Sequence, residues 1–323
     1  MQPAAAVVVT TYDRAPYLDR LLGALAAQQG APPFEVVVID NGSSDSTPEV
    51  IRRRSDDFQL PIRHLHEPVN IGPAAARNRG WQATSAPVIA FTDDDCMPSP
   101  RWLGTLTAAL DAGADVAQGR TEPAFAQRRE RGPFSMTMEK RSEDGFYETC
   151  NIAYRRDLLV RLDGFDAAFA GFYAEDVDLG WRARKAGAIT TFVDDAIVEH
   201  EIWPYRWKSR LGDIRRREGM NVLLHKHPEL RSLFPSPWFQ KQTHPRALMV
   251  AAALVPLALN PRSRARWITA GVALRLYYST VKPERINVRR RDWPWVLPLC
   301  LASDLADVAS LARGSVRQGA LFL

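Results

Sequence analysis

The sequence predicts an α/β chain whose mostly parallel sheet is flanked by helices and followed by a basic helical appendage. Three observations predict it. Short β-branched runs alternate with segments of helical spacing over residues 1–118. The runs end in polar, turn-forming clusters, where open α/β sheets gather their ligands. Charge divides the chain: residues 1–202 carry 21 Lys/Arg against 30 Asp/Glu, a balance of −9, and residues 203–323 carry 21 against 7, a balance of +14. The expected domains are 1–202 and 203–323.

Each element has its own signal. Ala5–Thr11 is a β-branched run without a basic leader, so it reads as a first strand and not as a signal peptide. Residues 16–28 place Leu18, Leu21, Leu22 and Leu25 on one helical face. Phe34–Asp40 is a second apolar strand, and Asn41-Gly42 marks the turn after it. Residues 46–54 form a helix with Ser46 at its cap and Glu49 three positions on. Ile62–His66 is a third strand, 73–83 a helix, Val88–Thr92 a fourth strand and 100–110 a helix. Residues 119–149 lack a period; 125–132 are polar and basic, 140–145 strongly charged, and the stretch reads as a mobile loop over the site. Beyond it, 150–154 suit a strand, 156–162 a short helix, 175–186 an amphipathic helix and 189–193 a late strand.

After His200 tryptophan, arginine and proline interleave, at 203–208, 215–217 and 293–295. Apolar stretches follow near 248–259, 267–281 and 293–312. The first has 12 residues; at about 1.5 Å per residue it reaches roughly 18 Å, short of a hydrocarbon core of about 30 Å. The second carries Arg275, the third Asp304 and Asp307. None reads as a good spanning helix. A region lying on an anionic membrane surface fits, the alternative being a helical appendage packed on the main domain. With a pI near 9.2, nucleic acid is the competing partner, but basic residues mixed with apolar stretches suit lipid, and none is expected. Cys96, Cys150 and Cys300 form no CxxC pair, which suggests a reducing compartment and argues against structural zinc. The expected location is cytoplasmic, peripheral at the inner face of the cell membrane.

The chemistry-bearing residues cluster at strand ends. Thr10, Thr11 and Tyr12 close the first strand, Asp40 and Asn41 the second, and Asp93-Asp94-Asp95 the fourth. Adjacent carboxylates repel, so a triple Asp calls for a compensating cation; an acidic turn is the plainer reading. In an extended stretch Asp93 and Asp95 would face the same side. Asn70-Ile-Gly72-Pro-Ala-Ala-Ala-Arg77-Asn78 offers a glycine for close approach and an arginine for phosphate. Further on come Glu175-Asp176 and Glu199-His200. Singly each has a plainer role: Asp40 caps a turn, Arg77 is an exposed helical charge, Glu175 and Asp176 favour a helix N-terminus, and His200 is a solvated loop histidine.

The ordered series resembles a family 2 glycosyltransferase with the glycosyltransferase A-type, Rossmann-like fold, over roughly residues 5–202. The resemblance implies an inverting transfer of a sugar from a nucleotide-diphosphate sugar to an acceptor hydroxyl. It assigns Thr10, Tyr12 and Asp40 to the nucleotide base, with Asn41, Ser43 and Asp45 continuing that strand end, and Arg77 to the nucleotide. Asp93 lies towards ribose or metal and Asp95 on the metal, Asp94 sharing that work. Of Glu175-Asp176, Asp176 is the base. His200 completes the shell of a divalent metal, Mn²⁺ or Mg²⁺. Asn151 meets donor or acceptor, and the acceptor pocket is built from 120–175. UDP or dTDP is the favoured donor nucleotide, and the basic tail suggests a lipid-linked or cell-envelope acceptor. A sugar-nucleotide pyrophosphorylase would need a glycine-rich loop after the first strand, which Thr10 to Pro16 lacks. A non-catalytic, membrane-associated donor-binding module is the other class.

Overall fold

The computed structural model describes the chain apart from residues 1, 58, 59, 131, 133, 172, 205–212, 215, 286, 287 and 320. Phe172 of the motif before Glu175, Tyr205 to Lys208 and Arg215 of the basic segments therefore lie outside the described residues. The chain separates into two compact units, residues 1–129 with 137–202, and 130–136 with 203–323. A division at 202 leaves 130–136 with the first unit; they cluster with the second.

The first unit is built on one eight-stranded sheet. Its strands are β1 (Ala5–Thr11), β2 (Phe34–Asp40), β3 (Ile62–His66), β4 (Val88–Thr92), β5 (Cys96–Pro98), β6 (Val116–Pro123), β7 (Asn151–Arg155) and β8 (Thr190–His200), in the order β3-β2-β1-β4-β7-β6-β8-β5. The sheet is mixed. β1 pairs in parallel with β2 and β4, β2 with β3 and β6 with β8, while β7 runs antiparallel to β4 and β6, and β5 to β8. The Ala5–Val9 run of β1 is apolar because both faces are covered. Ala5, Val7 and Val9 enter a core with Leu18, Leu21, Leu22 and Leu25 of α1 (Ala15–Ala26) and Trp102, Leu103 and Leu106 of α4 (Trp102–Asp111). Ala6 and Val8 enter the opposite core with Ala74 and Trp81 of α3 (Pro73–Gln82), Leu158 and Leu159 of α5 (Arg156–Arg161) and Leu179 of α6 (Glu175–Lys185). The expected capping box at α2 (Thr47–Asp57) gives way to Asp45, whose Oδ1 accepts Thr47 N–H at 3.0 Å while Oδ2 accepts Ala15 N–H at 3.0 Å. One carboxylate thus serves the starts of α1 and α2.

Two strands differ from expectation. β8 runs to His200, well past 193, because Asp194–Ala196 bulge out where the β6 register steps from Gly119↔Val193 to Arg120↔Ile197. The bulge presses on Gly119, where a Cβ would lie 2.2 Å from Ala196 O. β6 continues to Pro123 although Gln118, Arg120 and Glu122 interrupt its apolar character. The charged stretch near 140 is pinned, not free-standing: Lys140 is buried, pairs with Asp144 and Glu148, and exchanges both backbone hydrogen bonds with Thr121.

The second unit is helical: α7 (Gly219–Lys226), α8 (Thr243–Leu259), α9 (Arg264–Glu284) and α10 (Trp293–Gln318). Ala247, Val250, Ala273, Tyr277, Val281, Val296 and Cys300 form its core. Asp304 and Asp307 of α10 are buried and paired. Tyr277 O–H donates to Asp304 at 2.8 Å, Lys241 Nζ lies 2.8 Å and Arg217 Nε 2.8 Å from Asp307. By length and composition alone, and contrary to the reading of the third apolar stretch, Arg290–Gln318 is long and apolar enough to cross a membrane, with a mean hydropathy of 1.4 over its best window, 39% of it buried.

Candidate active site

The sheet reverses its winding at β1, which has β2 on one side and β4 on the other. Ligand crevices open at such switch points, beyond the carboxyl ends of the strands. Thr11, Asp40 and Thr92 end β1, β2 and β4 there, with Thr11 and Asp40 in register.

The triple Asp leaves the strand as a turn, closed by Cys96 N–H donating to Asp93 O at 3.1 Å. The expected same-side placement of Asp93 and Asp95 is therefore corrected. Asp94 and Asp95 share one cation, Arg14, whose Nη1 lies 2.9 Å from Asp94 Oδ1 and 3.0 Å from Asp95 Oδ2. Asp93 turns instead to Arg77 Nη2 at 3.0 Å. Burial, opposed by Arg14, pushes the Asp94 carboxyl up to about 7.

Arg77 ties two distant motifs together. Gly72, at φ +84°, turns the chain into α3, which carries Arg77 inward. Its other nitrogen, Nη1, lies 2.7 Å from Glu175 Oε1 at the start of α6. Arg77 is thus buried, not the exposed helical charge of the plainer reading. Burial disfavours its charge, but Asp93, Glu175 and Asp176 outweigh that and raise its pKa above the ordinary arginine value. Glu175 is pushed up to about 7 by burial and then by Asp176, with Arg77 opposing. Burial also raises Asp176, against Arg77 and the backbone N–H groups of Val177 and Thr149. Val177 N–H donates to Asp176 Oδ1 at 2.8 Å, and Thr149 N–H reaches Oδ2 at 3.4 Å. The residue before the pair, Ala174, holds a left-handed φ of +87°, a strained geometry for a residue with a Cβ that sets the direction of Glu175 and Asp176.

β8 delivers His200 opposite Cys96. Its Nδ1 donates to Glu201 O at 2.8 Å, and Nε2 faces Asp95 Oδ1 at 3.7 Å. A carbonyl only accepts, so this bond fixes the tautomer, the usual outer-shell arrangement of a ligating histidine. Among the described residues Asp95, Cys96 and His200 lie close enough to share one ion. Burial raises the Cys96 thiol well above its ordinary pKa, and a soft thiol matches a hard divalent cation poorly. The carboxylate and imidazole that remain could hold a divalent cation with its other positions open. Asp93 stands outside this group.

The base-side residues are spread along the same edge. Thr10 is half-buried and Tyr12 is 48% exposed. Asp40 is fully buried; Oδ1 accepts Ser43 N–H at 2.9 Å and Oδ2 faces His66 Nδ1 at 3.1 Å. Asn41 clasps the loop before α3, donating to Asn70 Oδ1 at 3.1 Å and accepting Ile71 N–H at 2.9 Å. Asn151 is not brought to the site. Its Oδ1 accepts Trp102 Nε1–H at 2.8 Å, and its Nδ2 donates to Arg120 O at 2.8 Å and Ala196 O at 2.9 Å. It is buried and ties β6, β7 and β8 together, its amide hydrogens both spent. Sequence reasoning missed Arg14, His66 and the Lys140–Glu148 pair. The need for a cation beside three Asp residues was the available signal for Arg14.

With this geometry in view, residues 6–170 match the family described as "Glycosyl transferase family 2". The validoxylamine A glucosyltransferase of Streptomyces hygroscopicus subsp. limoneus is 30% identical over 238 residues, covering 62% of this chain and 51% of its own. The chain spans about half the length of such curated relatives. A mannosyltransferase of Pyrobaculum calidifontis, solved in complex with GDP-Man and Mn²⁺, superposes with a TM-score of 0.63 at 20% identity, covering 97% of this chain and 88% of that one. TarS 1-349 of S. aureus, solved with UDP, gives 0.54 at 19% identity, covering 99% and 92%. At such identities these two show a shared fold, a glycosyltransferase A-like sheet with a helical C-terminal segment. The chain belongs to glycosyl transferase family 2.

Proposed function

We propose that the chain moves a sugar from a nucleotide-diphosphate sugar to an acceptor hydroxyl by a single, inverting displacement. One observation carries the reading: Arg77 bonds Asp93 and Glu175 at once, so the acidic run after β4 and the acidic pair at the start of α6 form one site. Asp95 and His200 would hold a divalent cation, which when bound supplies positive charge to the departing diphosphate. Arg14 and Arg77 fix the surrounding carboxylates so that they do not scatter under their own repulsion. Asp176 Oδ2, bonded only weakly by Thr149, is free to take the acceptor proton. Burial raises its pKa and makes it a stronger base, a role worth about 10²–10⁴ in rate.

UDP or dTDP remains the favoured donor nucleotide, with GDP open, since similar folds are solved with UDP and with GDP-Man. The acceptor is a lipid-linked or cell-envelope glycan hydroxyl, met by the segment 120–175. The membrane reading draws on the second unit. Val255 and Leu259 end α8, Trp267 and Ile268 begin α9, and all four are exposed, with Arg262 in the turn between and Arg264 at the first position of α9. An apolar tip ringed by arginines suits the anionic inner face of the cell membrane, about 1 kcal/mol coming from each basic residue near that surface. The protein is then cytoplasmic and peripheral.

The deciding experiment measures metal-dependent turnover of nucleotide sugars by wild type and Asp176→Asn. Turnover is expected in wild type only, with donor affinity retained in the variant. An active Asn variant removes Asp176 as the base. Absence of both turnover and nucleotide binding in wild type would favour a non-catalytic module.

A further inference from the structure

A second group of metal-ligating side chains sits outside the Asp95–His200 pair. His64 and His66 are two apart on β3, so their rings leave the same face of the strand. β3 is an edge strand of the sheet. Its parallel neighbour β2 sets Asp40 in register with His66. Asp40 Oδ2 lies 3.1 Å from His66 Nδ1 and 3.9 Å from His64 Nε2. One donor atom from each of the three residues lies within 4.8 Å of the others. Around a tetrahedral ion with bonds of about 2.0–2.1 Å, donors stand about 3.3 Å apart, so small side-chain rotations suffice. The rings are inclined at 73°, not stacked, and can converge on one point.

We infer that Asp40, His64 and His66 form a second divalent-cation site, selective for a borderline transition ion such as Zn²⁺ over Mg²⁺. Two imidazoles and one carboxylate are the donor set that zinc, cobalt and nickel prefer, whereas magnesium prefers oxygen. Asp40 is oriented for the task, since its other oxygen accepts Ser43 N–H and points Oδ2 at the histidines. Access is open, with the side chains of His64 and His66 33% and 54% exposed. The three ligands leave room for water or a ligand atom. A consequence, which rests on the donor reading of Asp40, is competition: an ion on Oδ2 blocks the carboxylate that would meet the nucleotide base.

Zn²⁺ calorimetry and the visible absorption of bound Co²⁺ test this on the full-length chain. Wild type, His200→Ala, His66→Gln and the double variant His64→Ala/His66→Ala are compared, with circular dichroism as the check of fold. The site predicts a cobalt band and Zn²⁺ binding that survive His200→Ala. Both weaken at least about 100-fold in the double variant, because the loss of outer-shell partners alone costs 10–100-fold. His66→Gln, a change at a half-exposed position, weakens binding even if the double variant folds poorly. Binding unchanged in His66→Gln, or binding that vanishes wholly with His200→Ala, overturns the inference. Zn²⁺ should also raise the donor KM of wild type and not of His66→Gln. If the ion binds as described but leaves KM unmoved, the site stands and the base-binding role of Asp40 falls.

Discussion

Replacing Arg77 with Met tests the central pairing most directly. The guanidinium lies 2.7 Å from Glu175 and 3.0 Å from Asp93 and is buried beside both. Removing one partner of a buried ion pair costs about 3–5 kcal/mol, because the other charge is left without compensation. The loss is also pH-dependent, and its sign is fixed. Glu175 already has a folded pKa of about 7 against an ordinary 4.5. A carboxyl whose folded pKa is raised stabilises the fold while protonated, and that stability drains away as pH rises from the unfolded value through the folded one. Wild-type stability should therefore fall between about pH 4.5 and 7 and then level. Arg77 opposes the rise, so without it the Glu175 pKa climbs further and the fall continues. The gap between variant and wild type then widens by about 1.4 kcal/mol per pH unit above 7. Urea unfolding at pH 6, 7 and 8 measures it, with Arg77→Lys as the control that keeps one charge but cannot bridge two carboxylates. A loss under about 1 kcal/mol, or one equal at all three pH values, refutes the reasoning.

Asn151→Ala should destabilise by about 3 kcal/mol, roughly 1 kcal/mol for each of the three hydrogen bonds left without a partner. Urea unfolding reads this, and a neutral substitution would show that Asn151 does not tie β6, β7 and β8 together. Val255→Glu with Ile268→Glu should abolish flotation with vesicles containing anionic lipid; flotation like that of wild type would end the peripheral-membrane reading. Mn²⁺ affinity, measured by electron paramagnetic resonance, should rise from pH 6 to pH 8. Asp94 sits at about 7 beside Asp95 and must give up its proton when a cation arrives, so binding releases protons and tightens as pH increases. Affinity that is flat or falls with pH contradicts that coupling.

The sequence discloses those parts of the fold whose signal is local. β1, β2, β3 and β4 were legible to the residue, the inner three because runs such as Val7-Val8-Val9 and Val36-Val37-Val38-Ile39 must be covered on both faces. β6 was hidden because Gln118, Arg120 and Glu122 break its apolar run. The end of β8 was hidden because Asp194 and Asp195 leave the ladder in a bulge, and no window of residues reports a bulge. The site behaved in the same way. Asp93, Asp95, Glu175, Asp176 and His200 could be named from their order along the chain, but their partners could not. That Arg77 would bridge residues 93 and 175 follows from the turn at Gly72 and the entry of α6, which are facts of packing. The triple Asp shows where the limit lies. Period-two alternation sends Asp93 and Asp95 to one side only while the chain stays extended, and the strand stops at Thr92. Once it stops, the pairing is decided by which arginine reaches which carboxylate, Arg14 for two and Arg77 for one. Charge balance required such arginines from the outset. Which of the many in the chain would supply it was a question only the folded sheet could answer.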